Sequence, residues 1–132
     1  MFLLFLESRS IVVAFDSKLL LRVCSGNLFL IGSDYDFAVG DTINDLIEHT
    51  SEHPLFDYYC EDIHHAKSIY GQEVTLYGHG VCTSSLPQQD CRDCLKYAYL
   101  EMMEVCTHSD GARIQLMDCR LRYENYKFNN DE

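Results

Sequence analysis

Between Asp34 and Thr50 the apolar residues Phe37, Val39, Ile43, Leu46 and Ile47 recur at roughly helical intervals. They follow Ser33-Asp34-Tyr35-Asp36, which has the spacing of a capping box with Asp in place of Glu. The pattern predicts a helix from about Asp34 to Thr50, weakened at Gly40 and ended before Pro54. Phe56–Tyr59 and Val74–Cys82 are rich in β-branched and aromatic residues and read as strands, with Gly71, Gly78 and Gly80 as punctuation. A second helix has Ser85 as N-cap and Pro87 in its first turn. Cys91, Cys94, Leu95, Ala98, Met102, Val105 and Cys106 form its apolar stripe, and it runs to about Cys106, breaking near Asp110-Gly111.

The segment from Ala112 to Phe128 alternates. Ile114, Leu116, Leu121 and Tyr123 are apolar, whereas Arg113, Gln115, Arg122 and Glu124 are polar. A two-residue turn at Asp118-Cys119 pairs 116 with 121, 114 with 123 and 113 with 124, so that apolar residues face apolar ones. Arg113 is then expected directly opposite Glu124.

A chain of 132 residues is one domain, long enough to bury a core. Ten Lys+Arg against 21 Asp+Glu give a net charge of -11 with His neutral, and no segment gathers the positive charge. Nucleic acid and anionic membrane surfaces are therefore excluded as partners, because both need clustered Lys and Arg. Met1–Leu6 and Ile11–Phe15 are apolar but separated by the charged Glu7–Ser10, and no basic start precedes them. Residues 1–14 are read as a degenerate secretory signal, the alternative being an ordinary N-terminal strand. No apolar run reaches the roughly 18 residues of a membrane span.

Seven cysteines change the picture most. Cys91-x2-Cys94 with Cys106 and His108 has the composition of a zinc site, but both members of the pair fall inside a predicted helix rather than on a tight knuckle. Disulfides are the better account, although spacing alone does not choose a pairing. Cys60 with His64 and His65 has the elements of a nucleophile and base, with Asp57, Glu61 and Asp62 beside them. The simpler reading is a polar loop with a stray thiol, since no oxyanion-hole motif or glycine-rich phosphate loop accompanies it. His79, on a predicted strand, is read as a packed or hydrogen-bonded residue.

The array Cys-x8-Cys-x2-Cys-x11-Cys-x12-Cys from Cys82 to Cys119, the Gly111-Ala112-Arg113 segment and Arg122-Tyr123-Glu124 resemble the plant ginkbilobin-homologous, or stress-antifungal, domain. The resemblance runs from about Leu20 to Phe128. It implies an α+β fold with two helices on an antiparallel sheet of about five strands. It implies disulfides Cys24–Cys106, Cys82–Cys91 and Cys94–Cys119, with Cys60 left as an unpaired thiol. On this reading residues 15–128 are a single domain and 129–132 an acidic, frayed tail.

The same resemblance implies a secreted, apoplastic defence protein of the antifungal type, without catalysis, cofactor or metal. Mannose-binding members grip the sugar through an Asn after the first cysteine, an Arg in Gly-Ala-Arg and a Glu after the last cysteine. By position these are Ser25, Arg113 and Glu124. A guanidinium fork and a carboxylate grip adjacent sugar hydroxyls in complementary fashion. Ser25 departs from the pattern, being shorter than Asn, and Asn27 lies two residues on as a substitute. The alternative is a protein-interaction module like the ectodomains of cysteine-rich receptor-like kinases, binding another apoplastic or receptor protein without sugar and dimerising through Cys60.

Overall fold

The computed structural model describes residues 14–66 and 71–129. The expected signal segment 1–14 and tail 129–132 fall almost wholly outside them. In chain order the elements are β1 (Leu19–Cys24), α1 (Asp34–His49), two short 3-10 turns (Thr50–Glu52 and Pro54–Phe56), β2 (Asp57–His64), β3 (Val74–Cys82), α2 (Gln88–Val105), β4 (Ala112–Leu116) and β5 (Cys119–Glu124). The strands form one antiparallel sheet in the order β1-β4-β5-β3-β2, and both helices pack against it. This is the α+β architecture expected. No helix among the described residues is long and apolar enough to cross a membrane.

The α1 cap is as the spacing indicates. Ser33 Oγ accepts the Asp36 N–H at 3.2 Å, and the Asp36 carboxylate accepts the Gly32 N–H at 2.7 Å. Val39, Ile43, Leu46 and Ile47 are buried, while Phe37 turns to solvent. The helix comes so close to the sheet that a Cβ at Gly78 would lie 2.9 Å from Leu46 Cδ1 and 3.0 Å from Cys60 Sγ.

Three local expectations are corrected. The α2 N-cap is Pro87, not Ser85: the Leu86 N–H bonds the Thr83 carbonyl at 3.1 Å, so Ser85 sits inside a preceding turn. The first predicted strand, Phe56–Tyr59, is the eight-residue β2, which runs on to His64 because it pairs with β3 all the way to Val74. Cys60 therefore lies on a central stretch of strand and not in a polar loop.

The third correction is the terminal hairpin. Arg113 stands opposite Arg122, Ile114 opposite Leu121 and Gln115 opposite Arg120, a register two residues away from that expected. Cys119 does not turn the chain; it begins β5, pairs with Cys82 on β3 and is bonded to Cys94 on α2. The turn falls one residue earlier. There the Asp118 carboxylate accepts the Thr83 hydroxyl at 2.9 Å and the Asp16 N–H at 2.7 Å. A slip of two keeps every side chain on its face, so the core set is unchanged. Strand β5 ends at Glu124 rather than continuing to Phe128.

The disulfides are Cys24–Cys106, Cys82–Cys91 and Cys94–Cys119, the pairing that the resemblance implies. They tie both ends of α2 to the sheet and leave none of Cys91, Cys94 or Cys106 for zinc. Cys24–Cys106 closes the longest loop, a separation of 82 residues. A loop of that length stabilises by roughly 4–5 kcal/mol in the chain-entropy account.

Candidate functional site

On the sheet face away from the helices, where β1 and β5 end and β4 begins, an open cleft of about 710 Å³ is lined by Ser25, Asn27, Asp110, Arg113, Arg122 and Glu124, among others. The Cys24–Cys106 bridge fixes one wall. Beyond it the loop is tied down by backbone bonds: Ser25 N–H to the Gly111 carbonyl and Asp110 N–H to the Asn27 carbonyl, each 2.9 Å. Ser25 Oγ accepts the Asn27 N–H at 3.3 Å, so these two polar residues share one short turn.

Gly111 sits at the floor of the cleft for a steric reason. A Cβ there would come within 2.1 Å of Glu124 Oε1. Glu124, only 9% exposed, accepts the Arg122 Nε–H at 2.8 Å. Arg122 lies with its guanidinium 4.0 Å from the Phe128 ring centroid, and its Nη2 is 3.4 Å from the Tyr126 hydroxyl. Burial by itself would lower the Arg122 pKa, but the bond and charge of Glu124 outweigh it and the pKa is raised. Arg122 Nη1 is buried without a hydrogen-bond partner.

Ser25, Arg113 and Glu124, the three residues expected to line a sugar site, thus share one cleft. The expected placement of Arg113 directly opposite Glu124 is corrected. Because Arg113 opposes Arg122, Glu124 is its diagonal neighbour, roughly 7–8 Å away in such a pair. Arg122 takes the place beside Glu124, a residue whose role the sequence reading missed. The available signal was the spacing of Arg122 and Glu124, two apart on one strand and hence on one face.

The thiol cluster is elsewhere, between β2 and α1. Cys60 is 6% exposed and has Asp45 and Asp62 as neighbours rather than a histidine. Burial, and then the charges of Asp62 and Asp45, push the Cys60 thiol up. A reactive cysteine needs the reverse, a cationic setting that stabilises thiolate. His64 is held by Thr42 Oγ1 at 3.0 Å, and His65 lies 3.2 Å from Glu73. The expected nucleophile and base are not brought together, and a dimer bridged by Cys60 is opposed by its burial. His79 is 4% exposed and bonded to Asp57 at 2.7 Å, a hydrogen-bonded structural residue as expected. Asp62 is raised to about 6, chiefly by burial and then by its hydrogen bond with Asp45.

Residues 23–126 match a family model described as Salt stress response/antifungal. The chain belongs to this family. Within the stress-antifungal family it is 32% identical over 111 residues to antifungal protein ginkbilobin-like protein 2 of Picea glauca, covering 84% of this chain and 79% of that protein. It is 38% identical to antifungal protein ginkbilobin-2 of Ginkgo biloba over a shorter stretch, 44% of this chain and 43% of that one. The tandem DUF26 ectodomain of the Arabidopsis thaliana cysteine-rich receptor-like protein PDLP5 superposes on this stress-antifungal domain with a TM-score of 0.67 at 23% identity. The match covers 84% of this chain and 51% of the ectodomain, so the chain spans about half of that tandem unit and the likeness speaks for the fold.

Proposed function

We propose that the chain is a secreted, non-enzymatic carbohydrate-binding protein of the plant-defence type, taking mannose or a mannose-containing glycan in the cleft beside β5. Arg113 donates to sugar hydroxyls and Glu124 accepts from them, while Ser25 or Asn27 supplies the third contact. The observation that carries this reading is the convergence of Ser25, Asn27, Arg113 and Glu124 on one open cleft, since neutral sugars need donors and acceptors side by side. The antifungal relatives in Picea and Ginkgo support the defence assignment, and a cysteine-rich repeat secretory protein of Arabidopsis, 36% identical over 55 residues, supports the extracellular one. Disulfides are at home in the same compartment.

Calorimetric titration of the oxidised full chain with mannose and mannotriose tests the proposal, beside Arg113→Ala and Glu124→Gln. Heat of binding that disappears in both variants is the expected result. A folded, disulfide-bonded protein that takes up neither mannose nor any other sugar refutes it.

A second reading is a protein-interaction module. It is favoured by β1, an edge strand on which Leu19, Leu20, Leu21 and Val23 are exposed together. On that reading Arg113→Ala leaves partner binding intact.

A further inference from the structure

We infer that Tyr126 is the sugar platform of this cleft: the apolar C–H face of one pyranose ring lies on the tyrosine ring while the hydroxyl edge of the same sugar meets Arg113 and Glu124. The inference rests on the carbohydrate reading above and adds the residue that takes the sugar's apolar side.

A pyranose is not uniformly polar. Its hydroxyls project around the rim, and the axial hydrogens at C3 and C5 leave one face apolar. On mannose that is the face opposite the axial 2-hydroxyl. A site for such a molecule combines a few placed polar groups with an apolar or aromatic wall. Ser25, Asn27, Arg113 and Glu124 are the polar part. Among the described residues one aromatic side chain lines the cleft, and it is Tyr126. The other exposed apolar group of the lining is Val23, the β1 partner of Arg113, which offers two methyls and no flat surface.

Tyr126 is held out at the cleft by an anchored segment. It is two residues beyond Glu124 and two before Phe128, and both of those are buried. Phe128 is locked by three contacts: the Tyr59 ring edge-on at 5.2 Å, the Arg122 guanidinium at 4.0 Å, and its own N–H donating to the Tyr59 hydroxyl at 3.3 Å. The chain is thus fixed on either side of Tyr126, yet the tyrosine itself is 53% exposed. Its hydroxyl lies 3.4 Å from Arg122 Nη2, which ties the polar tip to the cleft and leaves the ring as the exposed surface. A tyrosine ring gives a large contact area for few frozen torsions, and one whose backbone is already anchored costs less to order. A sugar lying on it also shields Glu124 from water, which strengthens the bonds that the carboxylate accepts from the sugar hydroxyls.

The test is titration of the oxidised full chain with mannotriose, beside Tyr126→Ala, Tyr126→Phe and Tyr126→Trp. Tyr126→Ala is expected to bind at least about tenfold more weakly, a difference near 1.4 kcal/mol, at an unchanged melting temperature. Tyr126→Phe keeps the ring and gives up the hydroxyl bond to Arg122, and it should restore most of the lost affinity. The chain has no tryptophan, so Tyr126→Trp introduces a single indole at the platform, whose emission should shift to the blue as the sugar covers it. If Tyr126→Ala binds within about twofold of wild type, or the Tyr126→Trp emission does not move at saturating mannotriose, the inference falls and the carbohydrate reading stands. If Tyr126→Phe binds as weakly as Tyr126→Ala, the hydroxyl and its hold on Arg122 carry the effect, and the platform is again overturned. Wild-type protein that binds no sugar overturns both readings.

Discussion

Truncating Glu124 to alanine tests the site's construction independently of any ligand. The Glu124 and Arg122 side chains are 12% and 13% exposed and joined at 2.8 Å. Without the carboxylate, Arg122 Nε joins Nη1 as a buried donor lacking an acceptor, and the guanidinium charge is left uncompensated. Removing one partner of a buried pair costs about 3–5 kcal/mol. Some of that is offset here. The Phe128 ring 4.0 Å away still attracts the guanidinium, an interaction of about 0.5–2 kcal/mol, and the pair keeps a little solvent access. The net loss should be about 2–3 kcal/mol, which in a domain of this size lowers the melting temperature by roughly 6–15 °C. Replacing both residues, as Arg122→Met with Glu124→Leu, should recover most of the loss, because an apolar pair carries no unmet charge. Urea and thermal unfolding of the oxidised wild type, Arg122→Met, Glu124→Leu and their double variant, followed by far-UV circular dichroism, closes the double-mutant cycle. If Glu124→Ala loses less than about 0.5 kcal/mol, or the two single effects merely add, the pair behaves as an exposed surface bridge and the reasoning fails.

Two further outcomes concern the interior between β2 and α1. Asp62, at about 6, binds its proton more tightly folded than unfolded, so its contribution is full below the ordinary carboxylate range and is lost as pH rises through about 6. Wild-type stability relative to Asp62→Asn should therefore fall between about pH 4 and pH 6; a constant difference across that window, measured by urea midpoints, contradicts it. Buried Cys60 should stay silent towards a thiol reagent until the protein is unfolded, and a non-reducing gel should show monomer. Rapid labelling of the native protein, or a dimer lost in Cys60→Ser, would overturn that account.

What could be read from the sequence follows from which physical signals are periodic. Faces are periodic, and the buried set of the hairpin, Ile114, Leu116, Leu121 and Tyr123, is the one that alternation marks. Register is not marked in the same way. A slip of two preserves every face, and what decides the pairing here is the long-range demand of Cys119, held by Cys94 across 25 residues. Strand β2 was cut short for a related reason. Its inner face carries Cys60, Asp62 and His64, polar residues that read as loop until α1 supplies Asp45 and Thr42 to meet them. Both errors bear on the site. The slip conceals that Arg113 faces Arg122, and the extension moves the thiol from an exposed loop into the core.

The same slip changes what the cleft can recognise. Arg113 directly opposite Glu124 would hold that carboxylate itself. In the observed register the carboxylate is committed to Arg122, and Arg113 stands across from that cation on the cleft wall. That carboxylate lies beside Gly111, where any larger residue would displace Glu124.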